Sequence, residues 1–398
     1  MDFRLSPQEE AFRREVRAFL EREWPPRAAA LPDGSRIDAP PPMTPGYMPS
    51  RADELKLGAK GWLAISWPVE YGGGGKPYMY QMIVDEELAY HNIPASEGMG
   101  RTIVAPTLLA YGSQRQKLEF LPRLAKGEIT FCLGYTEPEA GSDLASRRTR
   151  AVAEGDEYVI NGSKIYTSGA DRSEYCWLLA RTDPGAAKHR GLSLFMVPMD
   201  SPGVTVRPLA NMLGVAWFNE VFFEGVRVSR LNLVGGENQG WQIVTTALSA
   251  ERFSLYHCRS QFRLLQTVIE YARRVRRGGI PLFDRAVLRQ KLAQLAIEFE
   301  VARLLSYRAG LMRSRGQPLT YESAMVKMFN TELSQRLYNV AIDMLGLYGG
   351  LLPESARTVL GGAVGHGYLD AVQATIGAGA SEVQRDIIAR RALNMPRG

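Results

Sequence analysis

Glu251 is the residue whose type and setting most suggest chemistry. It stands in the stretch VTTALSAERFSLYH, residues 244–257. At helical spacing Val244, Ala247, Leu248 and Leu255 share its face, so a carboxylate interrupts an apolar stripe. Burial on such a face raises a carboxylate's pKa and makes it a stronger base. The residue pattern leaves two readings open: a proton-abstracting base, or half of a buried ion pair with Arg252 or a neighbouring arginine. Other chemistries are poorly served. The cysteines Cys132, Cys176 and Cys258 are widely spaced, and the four histidines form no HExxH-like pair, so no metal site is expected. The glycines 72–75 of WPVEYGGGGKP lack a preceding strand, a GK[ST] ending and GxGxxG spacing, and are expected to be a plain loop.

Three regimes of sequence must position these residues. Residues 1–130 read as mostly helical, with Ser6 as N-cap and Pro7 in the first helical position of SPQEEAFRREVRAFLERE. Residues 131–235 are short β-rich runs between turn signals, with turns expected at Glu154-Gly155-Asp156 and at Asn161-Gly162. Residues 236–398 return to long helices, expected at about 240–277, 284–314, 319–347 and 381–393, with a Gly-rich loop at 361–379 before the last. The order of helical block, β block and helical bundle implies an α+β enzyme of three cooperating domains.

Composition narrows the field. The chain has 398 residues, 45% hydrophobic and 23% charged, ordinary for a soluble protein with real cores. Its apolar runs are too short for a membrane span, and its start carries an amphipathic pattern instead of a signal-peptide core. A cytoplasmic, reduced protein is expected. The net charge is +6. The arginines lie mostly along amphipathic helices and are not clustered with aromatics, so the excess suits anionic, phosphate-bearing substrates and not nucleic acid.

The stretch FCLGYTEPEAGSDLASRRTRAV, followed by DEYVINGSKIYTSGA, resembles the acyl-CoA dehydrogenase family. That family carries a T/S-E-P-x-A-G-S-D loop and a hairpin ending in K-x-W/Y-x-T/S. WPVEYGGGG, YGSQRQKLEFLPRLAKGE, HRGLSLFMVPMDSPGVTVRPL, FNEVFFEGVRVSRLNLVGGENQGW and SEVQRDIIARRA are similar to its other landmarks, in order along the whole chain. The resemblance implies an N-terminal helical domain (1–130), a middle β-barrel or sandwich domain (131–235) and a C-terminal four-helix bundle (236–398). It implies FAD and the oxidation of an acyl-CoA thioester to the trans-2-enoyl-CoA. A carboxylate takes the α-proton, hydride leaves the β-carbon, and donors hold the thioester oxygen as enolate charge develops. An electron-transferring flavoprotein is the implied acceptor.

Family positions carry over one by one. Tyr135-Thr136 and Gly141-Ser142 match contacts to the flavin ring and pyrophosphate. In Tyr166-Thr167-Ser168, Tyr166 stands for a tryptophan beside the ring and Ser168 for a threonine near N5. Ser142 and Arg252 match positions lining the CoA and acyl mouth. In much of the family the base sits in Y-E-G-T-x-x-I-Q-R before the last helix. Here that segment is IGAGASEVQR, and Ala378 occupies the position. Glu382, one turn further on, is counted with the cofactor-binding positions. Other branches carry the base in L-x-x-E-R on the first C-terminal helix, which here is Leu248-Ser249-Ala250-Glu251-Arg252. The resemblance therefore favours Glu251 as base.

A second departure concerns groups that homotetrameric members lend to a neighbour's FAD, in R-x-x-F-G…Q and later Q-x-F-G-G. Val275, Gly278, Ala286 and Gly346 stand at those positions. Looser FAD binding is one consequence. The sharper one is an α2β2 heterotetramer, as in bacterial relatives that degrade steroid side chains, with this chain as the catalytic subunit. The helix-borne base and the Gly-rich loop, read as leaving room, imply a bulky, branched, cyclic or sterol-derived acyl group. The alternatives are a carrier-protein-bound acyl substrate, a non-catalytic partner subunit and a homo-oligomer.

Overall fold

The structure is a computed structural model. It describes residues 3–25, 28–31, 33–39, 50–93, 98–251 and 256–396, without the side chains of 30, 249–251, 256 and 257. In chain order the helices are α1 (Pro7–Glu23), α2 (Arg51–Ala59), α3 (Tyr78–Tyr90), α4 (Ala105–Tyr111), α5 (Gln114–Ala125), α6 (Gly240–Glu251), α7 (Tyr256–Arg274), α8 (Ala286–Ser314), α9 (Glu322–Leu345), α10 (Ala363–Ala374) and α11 (Ser381–Arg391). The strands are β1 (Ala28–Ala30), β2 (Arg36–Asp38), β3 (Phe131–Gly134), β4 (Arg150–Glu154), β5 (Glu157–Lys164), β6 (Tyr175–Arg181), β7 (Leu192–Pro198), β8 (Val204–Leu209), β9 (Phe218–Ser229), β10 (Leu233–Val234), β11 (Arg276–Arg277) and β12 (Ile280–Pro281). The chain divides into two compact units. One comprises Ser50–Gly75 and Glu97–Glu251; the other comprises Met1–Pro49, Lys76–Ser96 and Arg252–Gly398.

The first of these is built on a mixed sheet of order β10-β7-β6-β4-β5-β9-β8, with β3 added parallel to β6. Strand β6, YCWLLAR, is buried along its length because both its faces are covered. Trp177 and Leu179 join Leu108, Phe120, Val244 and Ala247 of α4, α5 and α6. Cys176, Leu178 and Ala180 join Tyr158, Phe195 and Phe223 on the other face. The β4–β5 hairpin turns at Gly155-Asp156, as expected, with Glu154 opposite Glu157. Asn161-Gly162 makes no turn. It is a bulge inside β5, where the register against β9 shifts between Ile160 and Gly162. Gly162 has φ +145, and a β-carbon there would stand 2.7 Å from Thr149 Cα. The glycine permits strand crowding, a demand that looks like a turn signal in one dimension. The glycines 72–75 do form a plain loop, in which each N–H already donates to a backbone carbonyl, from Val69, Pro68, Ala64 and Trp67 in turn.

The second unit is helical. Ser6 caps α1 with a full capping box closed by Glu9. Helices α7, α8 and α9 share a core of Leu264, Val268, Phe299, Leu333, Leu337 and Ala341. Buried Glu86 ties four helices together: its carboxylate takes hydrogen bonds from Arg13 Nη2 (2.6 Å) and Tyr307 Oη and pairs with Arg259 Nε at 3.0 Å. One expectation fails here. The Gly-rich segment 361–379 is not a loop but holds α10. Its small residues admit close helix packing: a β-carbon on Gly367 would lie 2.1 Å from the Tyr338 ring of α9. The space that these glycines leave is filled by the protein itself.

Candidate functional site

Two segments of the sheet unit are brought side by side. Strand β3 ends at Gly134 and runs into Tyr135-Thr136, and β5 ends at Lys164 and runs into Ile165–Ser168. The Ile165 N–H donates to the Thr136 carbonyl at 2.9 Å and locks the two exits together. Asn219 holds the second exit from below: its carbonyl accepts the Thr167 N–H at 3.0 Å, and its Nδ2 donates to the Thr167 carbonyl at 3.1 Å. Side chains alternate along the exit. Tyr166 is 57% exposed, Thr167 is turned fully inward, and Ser168 is half-buried. Tyr166 adopts φ +55, unusual for a bulky residue, and its ring meets Phe218 edge-on at 5.8 Å. Strain of that kind, about 1–3 kcal/mol, persists where bonds on either side over-determine it and is common at ligand clamps.

The Thr136–Asp143 loop is held by a buried carboxylate. Glu137 accepts the Arg148 N–H at 2.7 Å, the Thr149 N–H at 3.1 Å and Lys164 Nζ at 2.7 Å. Lys164, 1% exposed, also donates to the Leu179 carbonyl at 2.8 Å. Burial and the charge of Arg147 drag the Lys164 ammonium down to about 7, against the pull of Glu137. Burial pushes the Glu137 carboxyl up, but Lys164 and the backbone donors outweigh it and leave it below its ordinary value. Further on, Gly141 and Ser142 are exposed, and Asp143 is fastened by Lys188 and by Ser146 Oγ.

The two segments leave backbone donors open. Among the described residues, the N–H groups of Thr136, Gly141, Ser142 and Ser168 donate to no protein acceptor. The Ser142 residue is exposed, and Thr136 and Ser168 are part-buried. Open donors of this kind suit a ligand with carbonyl or phosphate oxygens, which fits a flavin dinucleotide. A β-carbon on Gly141 would meet nothing within 4 Å, so that turn faces open space.

Glu251 is the last residue of α6, and its side chain lies outside the described residues, as do Arg252 and Leu255. The stripe leading to it is real: Val244 and Ala247 are buried and Leu248 packs against the same core. In the other unit Ala378 has φ +53, and Glu382 is an exposed residue in the first turn of α11. The hairpin after α7 is occupied with itself. Arg274 binds Glu270 at 2.6 Å, Arg276 donates to the Gly279 carbonyl at 3.0 Å, and Arg277 donates to the Met344 carbonyl at 3.1 Å. Among the described residues no group of three or more His, Cys, Asp or Glu could hold a metal ion, and no helix is long and apolar enough to cross a membrane.

Sequence reasoning missed the buried charges Glu137, Arg147 and Lys164. Glu137 and Lys164 lie within the quoted motifs, and the signal was a lysine at an inward position of β5. Arg147 gave no signal, being one of several arginines in ASRRTR.

Helices, then a mixed sheet, then a helical bundle follow one another along the chain. The N-terminal, middle and C-terminal domain models of acyl-CoA dehydrogenase match residues 6–128, 132–226 and 238–393, and the chain belongs to the acyl-CoA dehydrogenase family. It is 37% identical to the acyl-CoA dehydrogenase FadE26 of Mycobacterium tuberculosis over 405 aligned positions, covering 100% of this chain and 99% of that one. Among solved structures it is similar to the ChsE4-ChsE5 complex from Mycobacterium tuberculosis, with a TM-score of 0.87, 36% identity and 100% of both chains covered. It is equally similar to the Tcur3481-Tcur3483 steroid ACAD, at TM-score 0.87, 33% identity and 100% of both chains. The chain is an acyl-CoA dehydrogenase, with the fold of that family.

Proposed function

We propose that the chain carries out FAD-dependent α,β-dehydrogenation of an acyl-CoA thioester, with Glu251 as the base that takes the α-proton. The observation that carries this reading is the pairing of the two strand exits through the Ile165 N–H and the Thr136 carbonyl, beside which the N–H groups of Thr136 and Ser168 stay open. Thr136 and Ser168 would hold the ring, Tyr166 would flank it, and Gly141-Ser142 would take the pyrophosphate; Tyr135, whose side chain is buried, would act through the peptide it shares with Thr136. Thr167 does not face the ligand: its side chain is buried and its N–H and carbonyl are both bonded to Asn219, so it fixes the course of its neighbours Tyr166 and Ser168. By family position alone, Glu382 is proposed for the cofactor and Arg252 for the acyl mouth. FAD, when bound, accepts the hydride that leaves the β-carbon, and an electron-transferring flavoprotein takes the electrons onward.

The proposed acyl group is bulky and ring-bearing. Likeness to a steroid ACAD across the whole chain supports this. The proposed assembly is a heteromer in which a partner subunit supplies cofactor contacts. Its support is that the arginines at the hairpin are engaged by Glu270 and by the Gly279 and Met344 carbonyls, together with the likeness to a two-component complex. The test is the visible spectrum of the protein purified alone and with its partner, then anaerobic titration with ring-bearing and straight-chain CoA thioesters. The wild type should bleach with the bulky thioester, and Glu251→Gln should keep its flavin and stay yellow. A Glu251→Gln protein that bleaches would remove Glu251 as base.

A further inference from the structure

Arg147 is the largest unexplained charge in the sheet unit. It is 1% exposed. Its Nε donates to the Tyr135 carbonyl. Its guanidinium carbon stands 5.8 Å from the centroid of the Tyr135 ring. Neither Nη1 nor Nη2 has a hydrogen-bond partner. The nearby carboxylate, Glu137, is already engaged by Lys164 and two backbone N–H groups. Burial pulls the guanidinium down to about 10, so it is charged at neutral pH. A buried, charged group with orphaned donors is costly, and a native fold that keeps one calls for a reason.

The reason lies in the peptide that Arg147 touches. The carbonyl of Tyr135 and the N–H of Thr136 belong to one trans peptide unit, so they point in opposite directions. The carbonyl faces the guanidinium. The N–H on the far side meets no protein acceptor and is one of the open donors. A cation bonded to one end of a peptide polarises it, which strengthens the donor at the other end. The fixed positive charge behind that peptide also stays unscreened in its low-dielectric setting.

We infer that Arg147 is a positioning residue that polarises the Tyr135–Thr136 peptide and sets a positive potential behind the cofactor ring, favouring the electron-rich reduced cofactor. This rests on the proposal that Thr136 borders FAD. Arg147 would then raise the cofactor's reduction potential, independently of where the proton-abstracting base sits.

The experiment is a dye-equilibrated reduction titration of the holoenzyme, with its partner subunit where one is required, for wild type, Arg147→Met and Arg147→Lys. Methionine has similar reach without charge, and replacing an unpaired buried cation by an apolar side chain should leave the fold intact. Arg147→Met should shift the equilibrium against reduction by tenfold or more, which for a two-electron couple is about 30 mV. Arg147→Lys should keep most of the wild-type potential. An FAD-loaded Arg147→Met enzyme with an unchanged potential would overturn the inference alone. So would a wild-type potential that follows chloride concentration, because the Nη donors would then serve a bound anion. A wild type that binds no FAD even with its partner subunit present would overturn the inference and the function beneath it together.

Discussion

Replacing Glu137 by glutamine keeps the side chain's shape and removes its charge. The Lys164 ammonium then stays buried with the Leu179 carbonyl as its remaining acceptor and Arg147 as a like-charged neighbour. Breaking a buried ion pair from one side costs about 3–5 kcal/mol. In a unit of this size each kcal/mol moves the thermal midpoint by roughly 2–4 °C, so a fall on the order of 10 °C is the ceiling, reached only where Lys164 keeps its proton. The pH dependence is more diagnostic. Lys164 titrates near 7 in the folded protein and near 10.4 when unfolded, so the unfolded chain holds the extra proton between those values and stability rises with pH across that window. Without Glu137 the folded value drops further. Above pH 7 Lys164 is neutral in both folded proteins, and the variant suffers only its lost backbone bonds. Below pH 7 the wild type stops losing stability on this account, while the variant goes on losing it. The midpoint difference should therefore be larger at pH 6 than at pH 9 in thermal scans of the two proteins. The double variant Glu137→Gln/Lys164→Met should recover much of the loss, since it leaves no stranded charge. A difference of equal size at both pH values, with no recovery in the double variant, would refute the ion-pair account of how the loop is held.

Two further outcomes test the helical unit. Burial, with help from Arg263, holds the His91 imidazole down to about 4, so His91 contributes stability above the unfolded value near 6.5 that is lost as pH falls toward 4. His91→Gln should flatten that acid limb and lower the acid-unfolding midpoint by roughly half a pH unit, and an unmoved midpoint would show that His91 is not part of the acid response. Gly367→Ala would drive a methyl into the Tyr338 ring. It should cost about 1–3 kcal/mol in thermal scans, and an unaffected midpoint would mean that α10 has room to spare.

How much was legible depended on whether the signal was periodic or three-dimensional. The α6 stripe was legible because Val244, Ala247 and Leu248 repeat at the helical period, and their burial follows from it. The loop 136–143 and the exit 166–168 were legible as motifs, though nothing in the sequence says that the Thr136 carbonyl and the Ile165 N–H join them. Glycine misled twice. Gly162 and Gly367 each mark a place where another chain segment comes too close for a β-carbon, and that demand comes from sheet and helix packing that a linear reading does not contain. With α10 packed against α9, the idea that segment 361–379 leaves room for a bulky acyl group loses its support, and that reading rests on the likeness to relatives. Arg147 was illegible for another reason: whether an arginine is solvated or buried is decided by which face of the sheet it meets.

The two departures from the family pattern bear on different steps, and this makes them separable. At Ala378 the side chain carries no carboxylate, so proton abstraction must come from elsewhere in this chain or from another, and Glu251 at the end of a buried stripe is the candidate within it. At the hairpin the arginines are spent on Glu270, Gly279 and Met344, so the proposed loss concerns donors for the cofactor and not the base. If both readings hold, adding a partner subunit should restore bound FAD without replacing the base. Wild type plus partner would then be yellow and active, and Glu251→Gln plus partner would be equally yellow and inactive. Activity returning with the partner in the Glu251→Gln background would instead put the base in the partner and make this chain the cofactor-holding half. Flavin content and turnover, measured together on the same four samples, tell these divisions of labour apart, because the first follows the hairpin and the second follows Glu251.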